Sequence, residues 1–292
     1  MERKSTLNVG VAQVDSVLGD VQTNAKTHKR YIREARQAGV ELLLFPELSL
    51  TGYCVGDHIV DLALDRDHPL IHELAEEAGD LCVVIGFIEE GVAAQFHNSA
   101  IAVKDGRVVF IHRKLNLATY GDLEEGKHFA EGRYFETFEV QKPWRAGVLI
   151  CADSWNPALV DLANMHGMTL FLNPVASAQG AVGGQFSNPD GWRKAVDFYA
   201  MIYGVPTIFA NFAGTELGAH FWGGSRIVDP YGQTLCEAGQ EEAFIHAALD
   251  YEDVKRARYR LPTLRDSNLD LVMRELNRLS WRIGIPEESR RV

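Results

Sequence analysis

Cysteine is scarce in this chain. It has four in 292 residues, at Cys54, Cys82, Cys151 and Cys236, with no Cys-x-x-Cys pair. So few, so widely spaced, argue against a disulfide scaffold and for a reducing compartment. Positive charge is also short: 29 Lys and Arg face 40 Asp and Glu, a formal net charge of -11. No dense basic run exists, which argues against nucleic acid or a membrane surface as a partner. The Arg290-Arg291 pair reads as a solvated tail. No apolar stretch reaches the roughly 18 residues that cross a bilayer. Met1 to Thr6 leads straight into a strand-like run without a signal-peptide core. A cytoplasmic protein is the expectation. Proline, glycine and serine form no linker, and repeats and low-complexity tracts are lacking. One domain over 1–292 is therefore expected, and the length suits a single α/β core.

What is present is an ordinary globular composition, 46% apolar and 24% charged. Short apolar runs predict strands near 7–14, 41–45, 81–88, 99–103, 108–112, 134–140, 145–150, 168–172, 207–212, 226–229 and 243–249. Helical patterns predict helices near 21–38, 70–78, 158–166 and 188–203, and a helical C-terminal segment from Tyr251 to Arg282. Lys104-Asp105-Gly106 joins two strand-like runs and signals a hairpin. Alternating strands and helices mixed with hairpins imply a layered α/β fold with a mixed sheet.

Three residues stand at the ends of apolar strands. Glu47 follows Leu44-Phe45-Pro46. Such a glutamate is ordinarily solvated, but apolar neighbours Leu48, Leu50 and Tyr53 would desolvate it and raise its pKa toward that of a working base. Lys114 follows Val108 to Arg113. It is either a basic strand end in water or an inward ammonium able to stabilise an oxyanion. Cys151 ends Ala146 to Ile150 and precedes Ala152-Asp153-Ser154-Trp155-Asn156-Pro157. A lone cysteine is commonly packing, but a thiol at a strand's C-terminal end lies where α/β folds collect their chemistry. A free thiol titrates near ~8.5, so it needs a base or a cation beside it. Glu47 and Lys114 would supply these, and parallel strands would bring the three ends together.

These segments resemble the nitrilase superfamily of carbon–nitrogen hydrolases, over nearly the whole chain. The resemblance rests on Val9 to Val14, a helix carrying Asn24, Leu44 to Tyr53 (LFPELSLTGY), Arg113-Lys114, and Ile150 to Trp155 (ICADSW). It implies a four-layer αββα sandwich, with Glu47 as general base, Lys114 as oxyanion stabiliser and Cys151 as nucleophile, and no cofactor. The stretch Tyr120 to Phe129 looks like the glutaminase domain of glutamine-dependent NAD synthetases, whose ATP-using domain has no room here. It implies Glu125 as a second site glutamate, with Glu124 the alternative. By the same resemblance, the N–H of Ala152 shares the oxyanion, and Tyr53, Tyr120, Trp155, Asn173 and Ser177 face the pocket. Asn173-Pro174 has the alternative reading of a plain turn.

The implied reaction is hydrolysis of a small linear amide through a thioester. True nitrilases usually carry Trp-Glu after the cysteine; Ala152-Asp153 here favours amides, including carbamoyl amides and ω-amides, over nitriles. An N-carbamoyl-amine or amino-acid hydrolase and a nitrilase are the alternatives. Acyl transfer to an amine and an inactive scaffold with the same fold also remain open. Family members commonly form homodimers or larger homo-oligomers. The helix after Asn156 and the C-terminal segment are the expected contacts.

Other signals are set aside. His68 and His72 have i, i+4 spacing but no third ligand and an intervening Pro69, so no metal is expected. Gly180 to Gly184 lacks a phosphate-binding context and reads as a mobile loop. Gly223-Gly224-Ser225 does not meet G-x-S-x-G, and Cys54 reads as packing.

Overall fold

The computed structural model describes residues 5–280. The chain builds one sheet, then a second, and then returns to the first. Strands β1 (Thr6–Gln13), β2 (Leu42–Leu44), β3 (Cys82–Glu90), β4 (Phe96–Lys104) and β5 (Arg107–Arg113) belong to the first sheet. The second contains β6 (Thr137–Gln141), β7 (Trp144–Val148), β8 (Leu170–Val175) and β9 (Thr207–Asn211). A separate hairpin follows, β10 (Ala213–Glu216) and β11 (Ala219–Trp222). Then β12 (Arg226–Val228) and β13 (Thr234–Glu237) complete the second sheet. Finally β14 (Ala243–Asp250) pairs antiparallel with β1, from Thr6 opposite Asp250 to Gln13 opposite Ala243. Among the described residues the two six-stranded orders are β14-β1-β2-β3-β4-β5 and β13-β12-β9-β8-β7-β6.

Period-two alternation sorts each strand's side chains into two layers. Leu42, Leu44, Cys82 and Val84 of the first sheet meet Ala146, Val148, Leu170 and Leu172 of the second in one core between the sheets. Their sequence neighbours Leu43, Val83 and Ile85 face outward onto helices α1 (Val21–Gln37) and α3 (Pro69–Ala78), through Ala25, Ile32, Ala35, Ile71 and Leu74. The short α2 (Ile59–Leu62) lies between these helices in sequence. Beyond the one-turn α4 (Glu125–His128), α5 (Pro157–Met165) and α6 (Asn188–Tyr203) cover the second sheet. Their Val160, Ala163 and Tyr199 pack on Leu149 and Phe171. The result is the expected layering of helices, sheet, sheet and helices. Strands buried on both faces explain why the sequence shows continuous apolar runs.

Helix starts follow local rules. Asp20 accepts the Thr23 N–H at α1, and α5 opens with Pro157 behind an Asn156 cap. His68 caps α3 by accepting the Leu70 N–H at 3.2 Å, which is its structural use here. Asp105 and Gly106, both at positive φ, form the tight β4–β5 turn.

Several expectations are corrected. The strand expected from Tyr134 begins at Thr137, because Tyr134 is exposed ahead of the sheet. β10, β11 and β13 were not anticipated. The helical C-terminal segment is broken into α7 (Tyr251–Arg260) and α8 (Leu269–Leu279), with Pro262 in the gap. Its last part, residues 281–292, lies outside the described residues. No helix among the described residues is long and apolar enough to cross a membrane.

Candidate active site

The turn after β2 is unusual in its backbone. Leu48 sits at φ +50°, folding Pro46-Glu47-Leu48 tightly back over β3. Gly86 of β3 permits this, since a Cβ there would lie 2.4 Å from both the Leu48 nitrogen and the Pro46 oxygen. The turn is further held by Leu50 N–H donating to the Gly86 carbonyl at 3.0 Å. From α1, Asn24 donates to the carbonyls of Val17 and Leu50. Glu47 is thereby aimed inward and buried.

Its carboxylate is fully engaged. Oε1 accepts from Lys114 Nζ at 2.6 Å and from Asn98 Nδ2 at 2.8 Å. Oε2 accepts the Ala176 N–H, beyond the end of β8, at 2.8 Å. Lys114 follows β5, is fully buried, and also donates to Glu125 Oε1 at 2.7 Å. Glu125, the first residue of α4, accepts the Tyr53 hydroxyl at 2.6 Å and, on Oε2, the Ala118 N–H at 3.0 Å. Of the two adjacent glutamates, Glu125 is the one on the ammonium; Glu124 is exposed and lies 4.0 Å from Lys127.

Cys151 arrives from the other sheet. It follows β7, sits at φ +44°, and opens a 3₁₀ turn, Cys151–Trp155. A positive φ at a side chain of this kind is strained and aims the thiol sharply away from the strand. Ala152 lies in the first turn of that helix, where an N–H has no acceptor within the helix. The turn is anchored beneath by Asn173, whose Nδ2 donates to the Leu149 carbonyl and Ser154 Oγ at 2.8 and 3.0 Å. Tyr199 of α6 donates to the Ser154 carbonyl at 3.0 Å.

The electrostatics follow from burying two carboxylates around one ammonium. Burial works against the Lys114 charge, but Glu125 and Glu47 outweigh it and hold the ammonium well above the ordinary 10.5. Burial raises the Glu47 carboxyl above 4.5, opposed by Lys114 and reinforced by Glu125. Burial also pushes the Cys151 thiol well above 9.0; the nearby Glu47 charge adds to this and Lys114 opposes it. At neutral pH the arrangement is a neutral thiol beside a carboxylate, with a fixed cation in reach. It can pass the thiol proton to the carboxylate as a bond to sulfur forms, with no standing thiolate.

Around this centre, burial and then Glu125 keep Tyr53 a phenol, well above 10.0. Tyr120, partly exposed, is raised by burial and then by the Cys151 charge. Its neighbour Gly121, at φ +59°, presses on the Ala181 carbonyl, so the 120–122 loop rests on the glycine-rich 180–184 loop. Trp155 packs on Trp192 at 4.3 Å and on Phe186 at 5.8 Å between ring centroids. Ser177 is occupied within the protein, its N–H on Asn211 Oδ1 and its hydroxyl accepting from Asn188. Cys54 is pushed up to about 12 by burial and by Glu216.

Glu47, Lys114, Glu125 and Cys151 thus converge, with Tyr53 bonded to Glu125 beside them. Asn173 Nδ2 and the Ser177 N–H and hydroxyl bond the protein's own groups, while Asn173 Oδ1 is buried without a partner among the described residues. Asn98 and Gly86 went unrecognised in the sequence; a polar residue just ahead of an apolar strand, and a glycine inside one, were the available signals. A cavity of about 1150 Å³ is lined by residues that include Arg66, Glu89, Arg113 and Phe129, and by none of Glu47, Lys114 and Cys151.

The carbon-nitrogen hydrolase profile matches residues 8–259. The chain belongs to the carbon-nitrogen hydrolase family. Within it, the glutamine-dependent NAD(+) synthetase of Thermotoga maritima is 31% identical over 254 residues, covering 85% of this chain and 42% of that protein. The chain therefore spans about two-fifths of that relative's length. The N-carbamoylputrescine amidase of Solanum lycopersicum is 28% identical over 288 residues, 93% of this chain and 95% of that one. The family fold recurs in the carbon-nitrogen hydrolase from Helicobacter pylori G27, with a TM-score of 0.82 at 23% identity over 91% of this chain and 96% of that one.

Proposed function

We propose that this family member hydrolyses the C–N bond of a small linear amide through a thioester on Cys151. The observation that carries this reading is a buried ammonium, Lys114, held between Glu47 and Glu125, with a neutral thiol beside Glu47. Glu47 takes the thiol proton as sulfur bonds to the amide carbon. The carbonyl electron pair moves to oxygen, where Lys114 and the Ala152 N–H receive it. As the intermediate collapses, the C–N bond breaks and Glu47 returns the proton to nitrogen, releasing ammonia. Water then attacks the thioester, giving its proton to Glu47; the C–S bond breaks and the thiol is restored. A single oxyanion donor is typically worth roughly 3–4 kcal/mol, and a general base about 10²–10⁴ in rate. Tyr53 and Tyr120 fit the walls of the pocket.

A second substrate class, N-carbamoyl amines, is favoured by the end-to-end match to the tomato amidase. An ammonia-release screen over primary amides, ω-amides and carbamoyl compounds separates the two. Cys151→Ala should abolish turnover while leaving the fold intact. Turnover retained by that variant would sink the assignment of Cys151 as nucleophile, and a wild-type Cys151 inert to iodoacetamide would favour a scaffold instead.

The chain is also proposed to pair with a second copy. Leu162 and Met165 of α5 and Phe198 and Met201 of α6 are exposed. Helix α8 buries none of its residues, yet carries Leu269, Val272, Met273 and Leu276 on one stripe.

A further inference from the structure

Cys151 and Lys114 come from different sheets, so their relative position depends on whatever ties the two sheets together at that point. One side chain does this directly. Asp153 is fully buried, and both of its oxygens are committed. Oδ1 accepts the N–H groups of Leu115 at 2.9 Å and Asn116 at 2.6 Å, the two residues after Lys114. Oδ2 accepts the N–H of Ile150, the residue before Cys151, at 2.9 Å. His112 Nε2, two residues before Lys114, lies 3.3 Å from the same oxygen.

A cap on the Cys151 turn explains only the Ile150 bond. The Leu115 and Asn116 bonds run 38 and 37 residues across to the first sheet. There the chain has left the β5 ladder at Arg113, so these N–H groups have no strand partner to use. Buried amides left without an acceptor are costly, so one carboxylate that serves both segments fixes both at once.

We infer that Asp153 is a positioning residue that locks the turn carrying Cys151 to the segment carrying Lys114, with His112 holding it in place. It touches neither substrate nor thiol; it acts through backbone that flanks them. The inference rests on the proposed amide hydrolysis, since it assigns Asp153 to the geometry of that site.

Asp153→Asn is the discriminating change. An amide has one acceptor oxygen, so it can serve the Leu115 and Asn116 N–H groups or the Ile150 N–H, but not both. One segment is released, and a misplacement near 1 Å costs on the order of 10²-fold in rate. Two readouts are measured on the full chain: kcat and KM for an amide found active, and the rate of Cys151 alkylation by iodoacetamide, mapped by mass spectrometry. Expected are about 10- to 100-fold losses in kcat and alkylation rate with KM within about threefold, below the variant's melting temperature. A purely structural role would lower the melting temperature but leave kcat and alkylation within about twofold of wild type; that result overturns the inference.

Should Asp153→Asn not fold, His112→Leu decides. It removes one of the four contacts and leaves the backbone bonds, so kcat or alkylation should fall at least about threefold, and an unchanged pair of rates overturns the inference. The alkylation arm needs no substrate. If wild type hydrolyses no amide but alkylation slows in Asp153→Asn, the functional reading fails and the positioning role stands. If amides are hydrolysed and neither rate moves, only the positioning role fails.

Discussion

Gly86→Ala tests the geometry of the site without touching any group proposed to react. The added Cβ would lie 2.4 Å from the Leu48 nitrogen and the Pro46 oxygen and 2.8 Å from the Glu47 carbonyl carbon, where ordinary contact begins at 3.4 Å. These are backbone atoms, so no flexible side chain can give way. The Glu47 turn must retreat by about 1 Å, or β3 must bend by as much. Retreat stretches the Lys114 and Asn98 contacts on Glu47, now 2.6 and 2.8 Å, beyond hydrogen-bonding range. Overpacking of this kind costs about 1–3 kcal/mol, and weakening a buried ion pair adds to it. For a chain of this size the lower figure already lowers Tm by about 2–4 °C. The larger effect falls on catalysis: a 1 Å error in the base lowers kcat/KM by about 10²-fold. Ammonia release and a thermal melt on the same preparation are the assays. A variant with kcat/KM within about threefold of wild type would show that the Gly86 contact does not set the position of Glu47.

Other outcomes follow from the same contacts. Because burial raises the Glu47 carboxyl above 4.5, kcat/KM should fall with decreasing pH through a midpoint above 4.5, and a midpoint at or below it would contradict a desolvated base. His28 is fully buried, with Nδ1 on the Asn24 carbonyl at 2.7 Å and Nε2 on the Ser49 hydroxyl at 3.0 Å. Burial lowers it from 6.5 to about 4. A depressed histidine stabilises the fold above pH 6.5 and loses that contribution as pH falls toward 4, roughly 3 kcal/mol in all. Urea midpoints should show this fall, and His28→Gln should flatten it. Tyr53→Phe removes the 2.6 Å bond to Glu125 and should lower kcat about tenfold, with an unchanged kcat arguing that Glu125 needs no such support. Phe198→Glu with Met201→Glu should convert a dimer to a monomer in sedimentation, whereas a wild-type monomer would remove the case for pairing.

The layers were legible because the central strands bury both faces. Leu42-Leu43-Leu44 and Val83-Val84-Ile85 offer no polar side for water to meet, so such runs belong to the interior. Glu47, Lys114 and Cys151 stood out because each polar group ends such a run. The β10–β11 hairpin was not legible. Its strands are four residues long, half-exposed, and carry Gly214 and a Glu216 drawn inward to accept the Tyr53 and Cys54 N–H groups. Asn173 and Ser177 were marked as pocket candidates by following a strand end, whereas their bonds to Leu149, Ser154, Asn188 and Asn211 come from other segments and were not legible. Leu115, Asn116 and Ile150 contribute through their backbone, which carries no signature in residue type. Asp153 was visible as part of a motif, but three of its four partners, His112, Leu115 and Asn116, come from the segment at the end of the first sheet's β5.

The order in which the chain builds its sheets has a practical reach. Glu47, Lys114 and Glu125 all precede the exposed Arg133 and Tyr134, while Cys151 and every strand of the second sheet come after them. A chain divided between Arg133 and Tyr134 would leave each fragment holding an incomplete set, with β14 on the second fragment ready to pair along β1 of the first. Under the proposed amide hydrolysis, turnover would then report that the fragments had met, with ammonia as the signal of a split reporter.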